Sequence, residues 1–260
     1  MTNQGTYRFM DNYVLESFLD NCDVAIIGTS GGIGQALVAQ ISQQSCVRHI
    51  FSCSRTRHDA ETDKISYIPI NITDETSIIS AVKEIKTKTK KIDLIIIATG
   101  ILHQGDTLQP EKTWKNLDAE NLSNIFRINT IGPALIAKHF IDLLPKDRKS
   151  VFAALSARVG SIEDNYIGGW YGYRSSKAAL NMMVKSLSIE LSRKNPEAIA
   201  VTLHPGTVNT NLSKPFQCSV PNGTLFDPHV SANYLLKVID NLQSKSTGQL
   251  FAWDGQKIPF

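Results

Sequence analysis

The chain of 260 residues contains few cysteines, and no long apolar run. Its four cysteines form neither a CxxC pair nor a cluster with histidine. This pattern excludes an obvious metal site or disulfide framework and favours a reducing compartment. The longest apolar run, near Leu94–Ala98, is too short to span a bilayer. The N-terminus carries Asp11, Glu16 and Asp20, whereas the corresponding part of a secretory signal is purely apolar.

The chain also lacks a strong excess of one charge. It has 27 Lys and Arg against 24 Asp and Glu, a formal net charge of +3. Such a balance argues against an electrostatic binder of nucleic acid. The lysine-rich stretch 83–91 is interpreted as the solvated end of an amphipathic helix, because no aromatic residues or second basic cluster accompany it. We therefore expect a soluble, cytoplasmic protein that binds neither nucleic acid nor membrane.

Short apolar runs alternate with longer amphipathic stretches along the sequence. Most of these runs are rich in Ile and Val, as buried parallel strands are, so the alternation predicts a doubly wound α/β sheet. The predicted strands are Val24–Ile27, His49–Cys53, Ser66–Ile70, Leu94–Ala98, Val151–Leu155, Ile199–Leu203 and Gln249–Trp253. The predicted helices span 32–44, 75–90, 111–145, 171–194 and 229–243. We expect one domain over 22–260, preceded by an N-terminal arm over 1–21.

A glycine-rich turn follows the first predicted strand and opens the first predicted helix. Its sequence is Gly28-Thr-Ser-Gly-Gly-Ile-Gly34. Glycine lets a backbone approach a pyrophosphate closely, and the N–H groups and positive dipole of a helix N-terminus attract that anion. No Gly-Lys-Ser/Thr follows, which excludes a P-loop. The turn therefore predicts a dinucleotide site; an ordinary tight connection is the alternative.

The second predicted strand is followed by Arg55 and Arg57, and no acidic residue lies between Asp23 and Asp59. An acid at this place bonds the adenosine ribose of NAD, whereas a guanidinium suits a 2′-phosphate. The sequence therefore favours NADP(H) over NAD.

Tyr173 and Lys177 are four residues apart, which places them on one face of a helix. A neighbouring ammonium lowers the pKa of a tyrosine, and such a tyrosine can exchange a proton with a carbonyl or alcohol oxygen. The spacing alone is common, so this interpretation needs the context of other motifs.

The order and spacing of several motifs resemble those of the short-chain dehydrogenase/reductase family over about residues 22–255. These motifs are the glycine turn, Asn129, Tyr173-Arg-Ser-Ser-Lys177 and Pro205-Gly-Thr-Val-Asn-Thr210. The stretches 168–177, 203–210 and 251–255 look like the C-factor-like subgroup, named for a bacterial cell-to-cell signalling protein. The resemblance implies a Rossmann fold of about seven strands in the order 3-2-1-4-5-6-7.

The family pattern also implies roles for individual residues. Tyr173 would be the general acid or base, Lys177 would hold the nicotinamide ribose, and Asn129 would anchor a water for proton relay. Pro205–Thr210 would cover the nicotinamide, and residues 212–228 would form a loop over the substrate. The implied coenzyme-binding residues are Gly28, Ser30, Gly32, Ile33, Gly34, Arg55, Asn71, Ile72, Gly100, Tyr173, Lys177, Pro205, Gly206, Val208 and Thr210.

The sequence departs from the family at the catalytic serine. The fifth predicted strand ends Ser156-Ala157-Arg158-Val159-Gly160, and Ala157 aligns with the serine that is catalytic elsewhere. Ser156 is the first candidate for the hydroxyl that bonds the carbonyl, Ser161 is the second, and neither is the third possibility. Two smaller departures are Ile27 in place of threonine and Ile97-Ala-Thr-Gly100 in place of Asn-Asn-Ala-Gly.

Three further residues near these motifs keep two interpretations each. His204 is either catalytic or a structural residue at a strand end, and Trp170 and Tyr171 either line the substrate mouth or pack under the helix.

These observations predict an enzyme that moves a hydride between NADP(H) and a small carbonyl compound or secondary alcohol. The apolar residues of 212–228 favour an uncharged substrate. The family resemblance further implies a homodimer or homotetramer. The alternative is a dinucleotide-binding signalling or regulatory protein with little catalytic activity, which Ala157 would suit.

Overall fold

A computed structural model describes residues 15–57, 61–105, 107–221 and 223–260. The strands are β1 (Cys22–Ile27), β2 (Val47–Ser54), β3 (Ile65–Pro69), β4 (Leu94–Ile97), β5 (Ser150–Leu155), β6 (Ala198–His204), β7 (Thr207–Val208), β8 (Leu225–Phe226), β9 (Leu250–Ala252) and β10 (Lys257–Ile258). The α-helices are α1 (Gly32–Ser42), α2 (Glu75–Lys88), α3 (Ala119–Phe126), α4 (Gly132–Phe140), α5 (Tyr171–Lys194) and α6 (Pro228–Asn241).

The main sheet has eight strands in the order β10-β9-β6-β5-β4-β1-β2-β3. The seven predicted strands are all present and run parallel, and their predicted order is confirmed. The eighth strand, β10, pairs antiparallel with β9 after a turn at Gly255, where φ is +83°. Only two residues long, β10 leaves no apolar run in the sequence that would predict it.

The sheet separates two hydrophobic cores. One face packs against α1 and α6, with Leu37 and Leu235 among the buried residues. The other face packs against α2, α4 and α5, with Ile78, Phe140 and Leu180 at its centre. Because both faces are covered, the central strands β1, β4 and β5 are mostly apolar, and this explains why the apolar runs predict them. Among the helices in the described part of the chain, none combines the length and apolar composition needed to cross a membrane.

The predicted arm over 1–21 falls mostly outside the described residues, which begin at Leu15. Leu15 and Phe18 are buried in the core that contains α1 and α6. The Ser17 hydroxyl donates to Asp240 Oδ1 at 2.6 Å, and Lys149 Nζ donates to the same Ser17 oxygen at 2.7 Å. The end of this segment is therefore part of the packed domain.

The single helix predicted over 111–145 is wrong. The structure has a 3₁₀ turn at Trp114–Asn116, then α3, a π-helical segment over Arg127–Ile131, and α4. Helix α3 begins only at Ala119, after the N-cap residue Asp118, whose side chain accepts from the N–H of Asn121. Pro133 lies in the first turn of α4 and has no N–H to donate back, which accounts for the irregular hydrogen bonding before it.

Candidate functional site

The turn between β1 and α1 requires glycine at two of the predicted positions. Gly28 has φ of +99°, and a Cβ there would lie 2.8 Å from Thr99 Cγ2. A Cβ on Gly34 would overlap the carbonyl oxygen of Gly28. Gly31 is different, because its added Cβ would meet only the Gly28 oxygen, at 3.5 Å. Gly28 and Gly34 therefore permit the tight packing of the turn itself.

A cavity of about 420 Å³ opens beside this turn, at the carboxyl ends of β1 to β4. Six of the predicted coenzyme-binding residues line it, namely Gly28, Ser30, Arg55, Asn71, Ile72 and Gly100. Gly32, Ile33 and Gly34 are outside this lining, and the Ile33 side chain packs against the core instead. Sequence reasoning did not select Gly31, Thr99, Ile101 and Gln104, which also line the cavity. The sequence feature that could have identified them is their position shortly after the predicted strands.

The cavity has the chemistry of an anion site. The first residues of α1 lack a side-chain cap and an acidic residue, so the helix N-terminus keeps its positive dipole uncompensated. The buried Thr99 hydroxyl, which lines the same cavity, has no hydrogen-bond partner. Free donors and a positive dipole fit the phosphates of a dinucleotide.

The two arginines after β2 differ in their surroundings. Arg55 lines the cavity and is exposed. Arg57 forms an ion pair with Glu61 at 3.1 Å. The structure thus separates the cavity arginine from its neighbour, a distinction that the sequence alone did not make.

Tyr173 and Lys177 lie in the first two turns of α5 and are both buried. Lys177 Nζ donates to the carbonyl oxygen of Leu155 at 2.9 Å and lies 5.8 Å from the centroid of the Tyr173 ring. Burial raises the pKa of Tyr173 to about 12 and lowers the pKa of Lys177 to about 8. This direction is opposite to the lowering expected from a neighbouring ammonium, because burial disfavours the charged phenolate.

Asn129 lies in the π-helical segment and is fully buried. Its Oδ1 accepts from Ile101 N at 2.8 Å, and its Nδ2 donates to Ile101 O at 2.9 Å and to Ser176 Oγ at 3.1 Å. A Cβ on Gly100 would lie 3.5 Å from Lys177 Nζ and 3.6 Å from Asn129 Oδ1. Asn129 and Lys177 therefore lie beside Gly100, which lines the cavity.

Both candidate serines bind groups other than Tyr173. The Ser156 hydroxyl donates to Asn181 Oδ1 at 2.7 Å, and Ser161 Oγ accepts from Asp164 N at 3.0 Å. Adjacent residues of an extended strand end point in opposite directions, and Ala157, the next residue, is extended and half-buried. The structure therefore turns the Ser156 side chain towards α5.

The Tyr173 ring contacts the ring of Trp170, which begins a series of ring contacts with two other parts of the chain. The Trp170 ring lies 6.3 Å from the Tyr173 ring and 5.1 Å from the Phe216 ring. The ring of His103 lies 5.7 Å from Phe216. Trp170 is half-buried, whereas Tyr171 is exposed and so does not pack under the helix. That Trp170 lines the substrate mouth stays a prediction. Sequence reasoning missed His103, whose only signal is its position three residues after Gly100.

The segment after β6 contacts both the glycine turn and the predicted substrate loop. A Cβ on Gly32 would lie 3.0 Å from Thr210 Cγ2, so Thr210 is beside the start of α1. Gly206 has φ of +80°, and the Phe226 ring packs closely on it. Val208 is buried in β7, which pairs with β8. The predicted loop over 212–228 thus contains a 3₁₀ turn at Lys214–Ser219 and a short strand.

Pro205 and His204 lie at the carboxyl end of β6. The carbonyl oxygen of Pro205 accepts from the Ser231 hydroxyl at 2.8 Å, which joins this segment to α6. Burial, aided by the charge of Arg158, lowers the pKa of His204 to about 4. Its Nδ1 is buried without a hydrogen-bond partner.

Comparisons with known proteins agree with this architecture. The family model described as short chain dehydrogenase matches residues 23–219. An uncharacterized oxidoreductase of Schizosaccharomyces pombe is 27% identical over 256 residues, covering 90% of this chain and 96% of the relative. The C-signal of Myxococcus xanthus is 35% identical over 146 residues, covering 56% of this chain and 82% of the relative.

A solved structure shows the same fold. The NADPH-bound carbonyl reductase from chicken fatty liver superposes with a TM-score of 0.80 at 23% identity, covering 94% of this chain and 96% of the reductase. With the family match over most of the sequence and the parallel sheet in the expected strand order, the chain belongs to the short-chain dehydrogenase family.

Proposed function

We propose that the protein is an NADP(H)-dependent oxidoreductase that interconverts a small carbonyl compound and its secondary alcohol. The observation that carries this proposal is the buried pair of Tyr173 and Lys177 beside the glycine-lined cavity, to which Gly100 and Asn129 connect it. Family members use a nicotinamide dinucleotide, and the anion-binding chemistry of the cavity fits its phosphates. When bound, this coenzyme supplies or accepts the hydride.

The residues of the chain supply binding and proton transfer. In the proposed reduction, the Tyr173 hydroxyl gives its proton to the carbonyl oxygen while the carbonyl carbon receives the hydride. Lys177 would bind the nicotinamide ribose, and Asn129 would hold a water that links Lys177 to solvent, so that Tyr173 recovers its proton. The pKa of about 12 keeps the Tyr173 hydroxyl protonated at neutral pH, as this direction requires.

The proposed coenzyme contacts fall into three groups. The glycine turn over 28–34 and Gly100 would hold the phosphates, Asn71 and Ile72 the adenine, and the segment over 205–210 the nicotinamide. The position of Arg55 in the cavity supports NADP(H) over NAD, since a guanidinium forks onto phosphate oxygens. The aromatic rings of Trp170 and Phe216 favour an uncharged substrate with an apolar substituent.

We further propose a cytoplasmic homodimer or homotetramer. The three buried free thiols agree with a reducing compartment. A groove of about 500 Å³ lies between α4 and α5, and the exposed Met182 and Ile189 side chains lie on the outer side of α5. Light scattering on the purified chain measures the oligomeric state, and a monomer at micromolar concentration would contradict this part of the proposal.

The deciding experiment replaces Tyr173 with Phe. Wild-type protein should oxidise NADPH with members of a panel of aldehydes and ketones, and Tyr173→Phe should lower kcat/KM about 10²–10⁴-fold because the proton donor is lost. Titration of NADPH fluorescence should give an unchanged Kd. The matched control is Tyr166→Phe, which removes a hydroxyl from a tyrosine that is 86% exposed and should leave turnover unchanged. Unchanged turnover by Tyr173→Phe would refute the mechanism.

The second candidate is a dinucleotide-binding regulatory protein with little catalytic activity. Two observations favour this candidate. Ala157 stands at the position of the family's catalytic serine, and the nearby Ser156 and Ser161 hydroxyls both bond to other residues of the chain. The same panel separates the two candidates: NADPH binding by the wild-type chain with no turnover of any carbonyl compound would support the regulator.

A further inference from the structure

The helix that carries Tyr173 and Lys177 begins in an unusual way. Gly168, Gly169 and Trp170, the three residues before α5, all have positive φ, of +69°, +65° and +50°. Tryptophan rarely adopts this conformation, because its Cβ crowds the backbone. Trp170 is the N-cap residue, and its side chain makes no capping hydrogen bond to the helix. Residues outside the helix must therefore provide the hydrogen bonds that stabilise this turn.

Glu111 provides that support from a loop 61 residues earlier in the chain. Its backbone carbonyl oxygen accepts from Trp170 N at 2.5 Å, and its carboxylate Oε2 accepts from Gly172 N at 3.1 Å. The residue is only 5% exposed. A negative group at this end of a helix also interacts favourably with the helix dipole. Glu111 therefore replaces the missing N-cap.

The fit around the carboxylate is close. A Cβ on Gly172 would lie 2.9 Å from Glu111 Oε1, so a larger residue at this position would push the carboxylate away. Gly172 immediately precedes Tyr173, and Trp170, the other residue bound by Glu111, places its ring 6.3 Å from the Tyr173 ring. One residue thus determines the backbone on both sides of the turn that carries the proposed proton donor.

We propose that Glu111 is a positioning residue for the proposed reaction. It does not touch the reacting atoms; it holds the first turn of α5 so that the Tyr173 hydroxyl and the Trp170 ring keep their places. This role rests on the proposed function of Tyr173. Small displacements of a reacting group lower rates strongly, so loss of the support should lower kcat more than it changes coenzyme affinity.

The test compares two substitutions of Glu111 with a capping acid elsewhere. Glu111→Ala removes the carboxylate that accepts from Gly172 N and should lower kcat about 10- to 100-fold, with the Kd for NADPH within about threefold of wild type. Glu111→Gln keeps an oxygen that can accept from Gly172 N and should retain kcat within about threefold of wild type. The control is Asp118→Ala, which removes the acidic cap of α3 and should lower thermal stability without lowering kcat.

Two results would overturn the proposal. Glu111→Ala with wild-type kcat would make Glu111 a purely structural cap. An equal loss of kcat in Glu111→Gln and Glu111→Ala would show that the hydrogen-bond acceptor is not the property that matters. Because Glu111→Ala could also destabilise the chain, kcat is measured well below the melting temperature of each variant.

Hydrogen exchange separates failure of this inference from failure of the proposed function. If the wild-type chain turns over no carbonyl compound, the proposed function is refuted, and this result says nothing about Glu111. The support by Glu111 is still measurable, since the amides of 171–174 should exchange at least about tenfold faster in Glu111→Ala and at the wild-type rate in Glu111→Gln. Unchanged exchange in Glu111→Ala would refute the support itself.

Discussion

The two sides of the candidate site are built in different ways. The proposed coenzyme side is formed by strand ends and by a glycine turn whose members are neighbours in sequence, and its shape depends on the backbone. The proposed substrate side contains His103, Trp170 and Phe216, which come from three separate loops. The first side therefore follows from a local motif, whereas the second depends on long-range packing. Substitutions in the glycine turn and at the strand ends should accordingly have larger and more uniform effects on stability and coenzyme binding than substitutions among the aromatic residues.

The largest effect is expected from Gly34→Ala. Its new Cβ would overlap a backbone oxygen of Gly28 that cannot move without disrupting the turn, so we expect a loss of about 3 kcal/mol and a melting temperature lower by roughly 6–12 °C. Gly31→Ala is the matched control, because its Cβ has room, and should melt within about 2 °C of wild type. Equal melting temperatures for the two variants would contradict the view that the close backbone packing at Gly34 determines the shape of the turn. Differential scanning fluorimetry measures both.

A smaller and more selective effect is expected from Arg55→Ala. Loss of a guanidinium from the cavity should weaken NADPH binding about 10- to 100-fold while leaving NADH binding nearly unchanged. Arg57→Ala is the control: Arg57 is bound to Glu61, so its loss should change NADPH affinity less than about threefold. Fluorescence titration with both coenzymes checks this. Equal losses for the two coenzymes would mean that Arg55 does not bind the 2′-phosphate.

The smallest catalytic effect is expected from Ser156→Ala, at the residue that follows β5. Loss of a donor that binds the reacting oxygen costs about 10²–10³ in rate, but the Ser156 hydroxyl donates to Asn181. We therefore expect kcat within about fivefold of wild type and a loss of about 1 kcal/mol in the free energy of unfolding, since Asn181 Oδ1 loses its donor. A fall of more than 100-fold in kcat would show that Ser156 turns towards the substrate.

Much of the fold was predictable because its signals are local. Buried parallel strands are apolar along their whole length, so seven of the eight strands of the main sheet stand out in the sequence. Their spatial order required the family resemblance, since no pattern in a single strand specifies its neighbours. The π-helical segment before Pro133 and the short β10 were missed because the first lies within an apolar, helix-like stretch and the second is only two residues long.

In the candidate site too, the residues of local motifs were predictable and the contacts between distant parts of the chain were not. Gly28, Arg55 and Gly100 follow directly from their positions after strands, and the structure places all three around one cavity. The orientation of Ser156 and the support by Glu111 could not be predicted, because each depends on a partner on α5 that is distant in sequence. Burial likewise reverses the expected pKa shift of Tyr173, and burial is a property of the whole fold.

The distribution of thiols makes the chain a convenient subject for spectroscopy. Cys22, Cys46 and Cys53 are buried, and burial raises the pKa of each thiol, whereas Cys218 is exposed two residues after Phe216. A maleimide fluorophore added to the native protein would therefore attach at Cys218, with no cysteine introduced or removed. The label would sit on the segment that contacts both Trp170 and His103, and its emission would follow movement of that segment as ligands are added.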